Sequence, residues 1–185
     1  MGGISPELQR RLLAAAREAI QQRLQGKSST LPELEDWPEP ARTPGASFVT
    51  LKVDDRLRGC IGSIEPVHPL VHDVCDNAAA AAFRDPRFPP LTEAEYDRMQ
   101  ISISVLGEPQ DVKFSSTRQL EALLRPGVDG LILAAGKRRA VFLPQVWESL
   151  PQPREFIQQL KLKARLEESI EPPQLSAQRF QVQHF

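Results

Sequence analysis

The chain has 185 residues and only two cysteines, Cys60 and Cys75, which excludes a disulfide framework. It has one tyrosine, two tryptophans and three histidines, so aromatic and imidazole chemistry is sparse. It is short of net charge as well: 23 Lys and Arg stand against 24 Asp and Glu, giving −1. A balance this even offers no electrostatic reason to expect nucleic acid or an anionic membrane. The longest basic run is Lys137-Arg138-Arg139, which reads as a hairpin tip. No apolar run approaches the ~20 residues of a membrane span. The opening Met1-Gly2-Gly3-Ile4-Ser5-Pro6 lacks both the basic start and the apolar stretch of a signal peptide. These features predict a soluble cytoplasmic protein with reduced thiols.

Proline, by contrast, is abundant. Its 17 residues are roughly twice the usual share and lie between periodic segments, as stiff connections. The length suits one domain, or two small lobes. Ser5-Pro6-Glu7 starts a helix, and Leu8, Leu12, Leu13, Ala16, Ile20 and Leu24 follow with helical period up to Gly26. A proline-rich connection fills 27–46. Phe48–Val53 alternates as a strand, Asp54-Asp55 turns, and Leu57–Ile61 is the hairpin partner. A second helix opens at Pro69 and runs to about Phe83. Thr92 and Glu95 form a capping box for a short helix. Gln100–Leu106 is the clearest strand, with Ile101, Ile103 and Val105 on one face and Ser102 and Ser104 on the other. A helix follows over Thr117–Leu124. A hairpin turns at Gly136-Lys137, a last helix covers 154–166, and Arg179–Phe185 closes as a strand. Helices and strands without strict alternation predict an α+β fold with a mainly antiparallel sheet flanked by helices.

The most informative residues are Leu57-Arg58-Gly59-Cys60-Ile61-Gly62. In an extended strand Leu57, Gly59 and Ile61 share the core face, and Arg58 and Cys60 share the other. A guanidinium beside a thiol stabilises thiolate, and Gly62 leaves room for a ligand or a positive φ. Cys60 and Arg58 are therefore the candidate catalytic pair. The alternative is a packed cysteine whose flanking glycines let a helix approach, with Arg58 on the surface. Cys60, His68, His72 and Cys75 fall close together, yet their Cys-x7-His-x3-His-x2-Cys spacing fits no zinc pattern. No metal and no cofactor is expected. Nucleophile-elbow, phosphate-loop and dinucleotide motifs are absent, and Gly127-Val128-Asp129-Gly130 reads as a turn.

The hexapeptide resembles the signature of the AMMECR-type domain. The similarity continues through Asn77-Ala78 and Ala81-Ala82-Phe83-Arg84-Asp85-Pro86-Arg87-Phe88-Pro89-Pro90-Leu91, then Ile103-Ser104-Val105-Leu106. It extends to Arg125-Pro126-Gly127-Val128-Asp129-Gly130-Leu131 and Phe142-Leu143-Pro144-Gln145-Val146-Trp147-Glu148. The resemblance implies one domain over 1–185, with two unequal lobes and a cleft between them. The larger lobe would come from both chain ends, the smaller from about 85–145. It implies company with a Memo-type protein and a radical S-adenosylmethionine protein, and it names no reaction. It adds Gly59, Gly62, Asn77, Asp85 and Arg87 as candidate ligand-binding positions, for a small molecule or a peptide. Arg87, in a proline-stiffened loop, would grip a carboxylate or phosphate, or else pair with Asp85 or Asp76 and order the loop. Two functional readings follow. One is a binding or accessory component. The other is an enzyme using Cys60 thiolate on a small metabolite or modified amino acid.

Overall fold

The computed structural model describes residues 3–27 and 30–185. Met1 and Gly2, and Ser28 and Ser29 of the 27–46 connection, lie outside the described residues. The elements run α1 (Pro6–Leu24), a 3-10 turn (Leu34–Asp36), α2 (Glu39–Arg42), β1 (Ser47–Val53), β2 (Arg56–Gly62), α3 (Leu70–Phe83), α4 (Glu93–Tyr96) and β3 (Met99–Leu106). They continue as β4 (Gln110–Val112), α5 (Thr117–Leu123), β5 (Gly130–Ala135), β6 (Arg138–Phe142), a 3-10 turn (Pro144–Glu148), α6 (Pro153–Lys163), β7 (Ser176–Phe180) and β8 (Val182–His184). The α+β class is as the pattern predicts, with two four-stranded antiparallel sheets.

The chain divides into two units, residues 1–106 with 183–185, and residues 107–182. The range 85–145 expected for a smaller lobe spans parts of both. In the first unit the sheet order is β2-β1-β3-β8. Asp54 and Asp55 both take positive φ (51° and 61°), the geometry of a two-residue hairpin turn that matches strand twist. One face of this sheet buries Val49, Leu51 and Ile103 against Leu12 and Ile20 of α1 and Val71, Val74 and Ala78 of α3. Each of the fully buried Leu, Ile and Val side chains contributes about 1.5–3 kcal/mol. Ser5 caps α1, its hydroxyl accepting from the Leu8 amide.

The second unit orders its sheet β4-β7-β5-β6. Its core holds Phe156 stacked on Trp147, with ring centroids 3.8 Å apart, and Phe142 edge-on at 5.2 Å. The Trp147 indole donates to the Asp129 carbonyl at 2.7 Å, while the Asp129 carboxylate accepts from Arg125. The 127–130 turn is thus a structural corner. The closing strand expected over 179–185 is two strands in different sheets, because pairing passes from β5 to β3 at Gln181. β4 carries Gln-Asp-Val, with no alternation to announce it.

Candidate functional site

The hexapeptide lies on β2, the edge strand of the first sheet. Leu51 pairs with Gly59 but Lys52 pairs with Leu57, so Arg58 is the extra residue of a β-bulge. The bulge corrects the expected alternation. Leu57, expected on the core face, is 43% exposed opposite Lys52, and Arg58 is only 8% exposed. The face shared with Cys60 is no longer fixed by parity. Instead the guanidinium reaches Glu95 Oε1 at 2.7 Å and the Pro89 carbonyl at 2.8 Å, with Phe88 beneath it. Glu95 does double work: it also accepts from the amide and hydroxyl of Thr92 as the capping residue of α4. Arg58 beside it lowers the Glu95 pKa to about 2.

Cys60 keeps its expected orientation opposite Thr50, and the Thr50 hydroxyl donates to its sulfur at 3.3 Å. Thr50 also faces Ser102 on β3, so the sheet face away from the helices runs Cys60, Thr50, Ser102. Ser104, one pair along that face, bonds His184 on β8 at 3.0 Å. β8 is three strand spacings from β2, roughly 14 Å. Cys60 and His184 are therefore too far apart for a nucleophile–base pair.

The outer edge of Cys60 is closed by Asp85 and Arg87. Asp85 Oδ2 accepts the Cys60 amide at 2.9 Å and the Arg87 guanidinium at 2.7 Å. Arg87 donates in turn to the Cys60 carbonyl at 3.3 Å. Asp85 is 4% exposed, and its hydrogen bonds from Arg87 hold its carboxyl well below the usual carboxylate range. The Arg87 pKa is raised, first by Asp85 and to a smaller degree by Cys60. Of the two partners the sequence offers Arg87, the structure selects Asp85.

Both glycines have filled surroundings. A Cβ on Gly59 would overlap the Ala81 carbonyl of α3, and one on Gly62 would overlap the Phe48 ring and the Ser47 carbonyl. Gly62 does not take a positive φ. Asn77 faces the other way, toward α3's contact with β1. Its amide donates to the Ser47 carbonyl at 3.1 Å and to Asp73 at 3.0 Å. Asp73, 5% exposed, accepts also from the Ser47 hydroxyl at 2.6 Å and from the Ser63 hydroxyl. Burial pushes its pKa up, and the hydroxyl donors only partly offset that. The structure thus brings Arg58, Cys60, Asp85 and Arg87 to one edge and places Asn77 in a separate buried network.

Glu95, Thr50 and Asp73 escape the sequence reading as site members. Asp73 and Asn77 at i and i+4 on one helix face were the available signal. Cys75 packs against the Ala15 carbonyl, and His72 bonds the Pro32 carbonyl at 2.8 Å. Among the described residues no three His, Cys, Asp or Glu side chains gather as a metal site, and no helix is long and apolar enough to cross a membrane.

The AMMECR1 family profile matches residues 13–185. A protein from Methanothermobacter thermautotrophicus is 39% identical over 183 residues, covering 95% of this chain and 92% of the relative. Protein MJ0810 from Methanocaldococcus jannaschii is 36% identical over 158 residues, with 82% and 75% covered. The crystal structure of the uncharacterized protein PH0010 from Pyrococcus horikoshii superposes with a TM-score of 0.87 at 30% identity. It covers 98% of this chain and 92% of that one. A match running from α1 to the last strand, with these relatives beside it, makes the chain a member of the AMMECR1 family.

Proposed function

We propose that this chain is a binding or accessory component that presents the Cys60 edge of β2 to a small ligand or to a partner protein. The partners are a Memo-type protein and a radical S-adenosylmethionine protein. The observation that carries the reading is where the charges go. Arg58 is taken up by Glu95, and Arg87 by Asp85. The Cys60 sulfur has a hydroxyl donor, Thr50, where a nucleophile would need a base. What remains is a rigid edge with one soft side chain on it, which suits recognition. Calorimetric titration of the chain with each partner tests this. Binding in the micromolar range supports it; no binding, together with turnover by the isolated chain, defeats it.

A second reading rests on Arg87, whose guanidinium donates to the Cys60 carbonyl at 3.3 Å and so stands beside the thiol. In that reading Cys60 acts as thiolate on a small metabolite or modified amino acid, with Arg87 in the role expected of Arg58. Alkylation of Cys60 across pH separates the two. A midpoint well below the ~8.5 of a free thiol favours the thiolate. A midpoint at or above it leaves the contact role.

A further inference from the structure

Lys137-Arg138-Arg139, the longest basic run, has no part in the Cys60 edge. It forms the tip of the β5–β6 hairpin, with Gly136 taking the positive φ at the turn. Between this tip and the segment after α6 lies a broad groove of about 600 Å³. Lys137 and Arg138 line one side of it; Ala135, Leu166, Ile170 and Pro173 give it an apolar lining. The tip is held in place, because Arg138 donates to the Arg165 carbonyl at 2.6 Å. Three carboxylates follow α6, and none of them lines the groove. Glu168 accepts from Gln158 at 2.7 Å, and Glu171 accepts the Thr117 amide at 2.6 Å. Lys137, Arg138 and Arg165 are exposed, and so are Glu167 and Glu168. The charged side chains of the lining are Lys137 and Arg138, with no carboxylate among them.

We infer that the groove docks an acidic segment of a partner protein, its carboxylates meeting Lys137 and Arg138 and an apolar side chain covering Ile170 and Pro173. Charge complementarity selects the partner: cations on the rim steer an acidic chain and fix its register. The apolar lining selects a peptide over a nucleic acid, which would need a longer basic track or aromatic platforms. The site lies wholly in the second unit and does not depend on the role of Cys60.

The test uses the full chain and a fluorescein-labelled peptide of alternating Glu and Leu, read by anisotropy. The expected result is micromolar binding that weakens about tenfold between low and high salt. Lys137→Glu should weaken it about tenfold with an unchanged melting temperature, since this side chain is exposed. Replacing Leu by Ser in the peptide should weaken it similarly, and Cys60→Arg should leave it unchanged. Absence of binding up to roughly 100 µM overturns the inference, as does indifference to Lys137→Glu. Equal affinity for the Ser peptide, or for a single-stranded oligonucleotide, overturns it too.

Discussion

Asp85 accepts the amide hydrogen of Cys60 at 2.9 Å, and Arg87 returns a hydrogen bond to the carbonyl of the same residue. Together the two side chains do for Cys60 what a neighbouring strand would do. They satisfy an edge that otherwise invites pairing with another chain. The relationship ties the proline-stiffened loop to the sheet and fixes where the thiol stands.

Removing Asp85 should therefore be costly. Asp85→Ala leaves a backbone amide and a guanidinium without their acceptor, and a loss of about 2–4 kcal/mol is expected. Urea unfolding measures it. A loss under about 0.5 kcal/mol, typical of an exposed pair, would contradict the account.

Stability should fall with acid in a defined window. Asp85 and Glu95 both have folded pKa values below their unfolded ones, near 3.9 and 4.3. Their contribution is complete above about pH 5 and is lost as pH falls through 4 toward about 2. Asp73 has the opposite sign. Its folded pKa is raised, so its protonation favours folding as pH drops from neutral toward its unfolded value. The pH–stability curve should rise or level before it falls, and Asp73→Asn should flatten only the upper arm. An upper arm unchanged in Asp73→Asn would be inconsistent with this.

Gly59→Ala tests the packing of α3 on β2. The added methyl meets the Ala81 carbonyl, a backbone atom with little freedom to move. A destabilisation of about 1–3 kcal/mol is expected from overpacking. Thermal melting of the variant reads it, and an unchanged midpoint would mean the helix stands further off.

The alternation of Gln100–Leu106, the cap at Ser5 and the hairpin at Gly136-Lys137 are local patterns, and each element formed as its pattern predicts. The bulge at Arg58 is not local. It depends on the register between β1 and β2, so strand parity misassigns Leu57 and separates Arg58 from the rule that pairs it with Cys60. Asp73 is legible only as a polar residue on a helix; its hydrogen-bond donors Ser47 and Ser63 come from β1 and from just past the end of β2. Asp85 and Arg87, on either side of Pro86, are legible as a pair, but their hold on Cys60 is not.

The two thiols should differ in reactivity. Cys75 is buried and its pKa is pushed up to about 12, mainly by that burial. Cys60 is only partly buried. A thiol reagent on the native protein should label one cysteine, and Cys60→Ser should abolish that labelling. Labelling of Cys75 before unfolding would contradict the packing of α3 against α1.

Under the proposed function Cys60 makes contact and does not react. Reconstitution with the Memo-type and radical S-adenosylmethionine proteins, following the activity of the mixture, tests it most directly. The account predicts that Cys60→Ser, nearly isosteric, keeps partner affinity and activity within about threefold. Cys60→Arg, which blocks the edge, should lower both about tenfold or more. Loss of activity in Cys60→Ser with partner binding intact would contradict the account and assign the chemistry to the thiol.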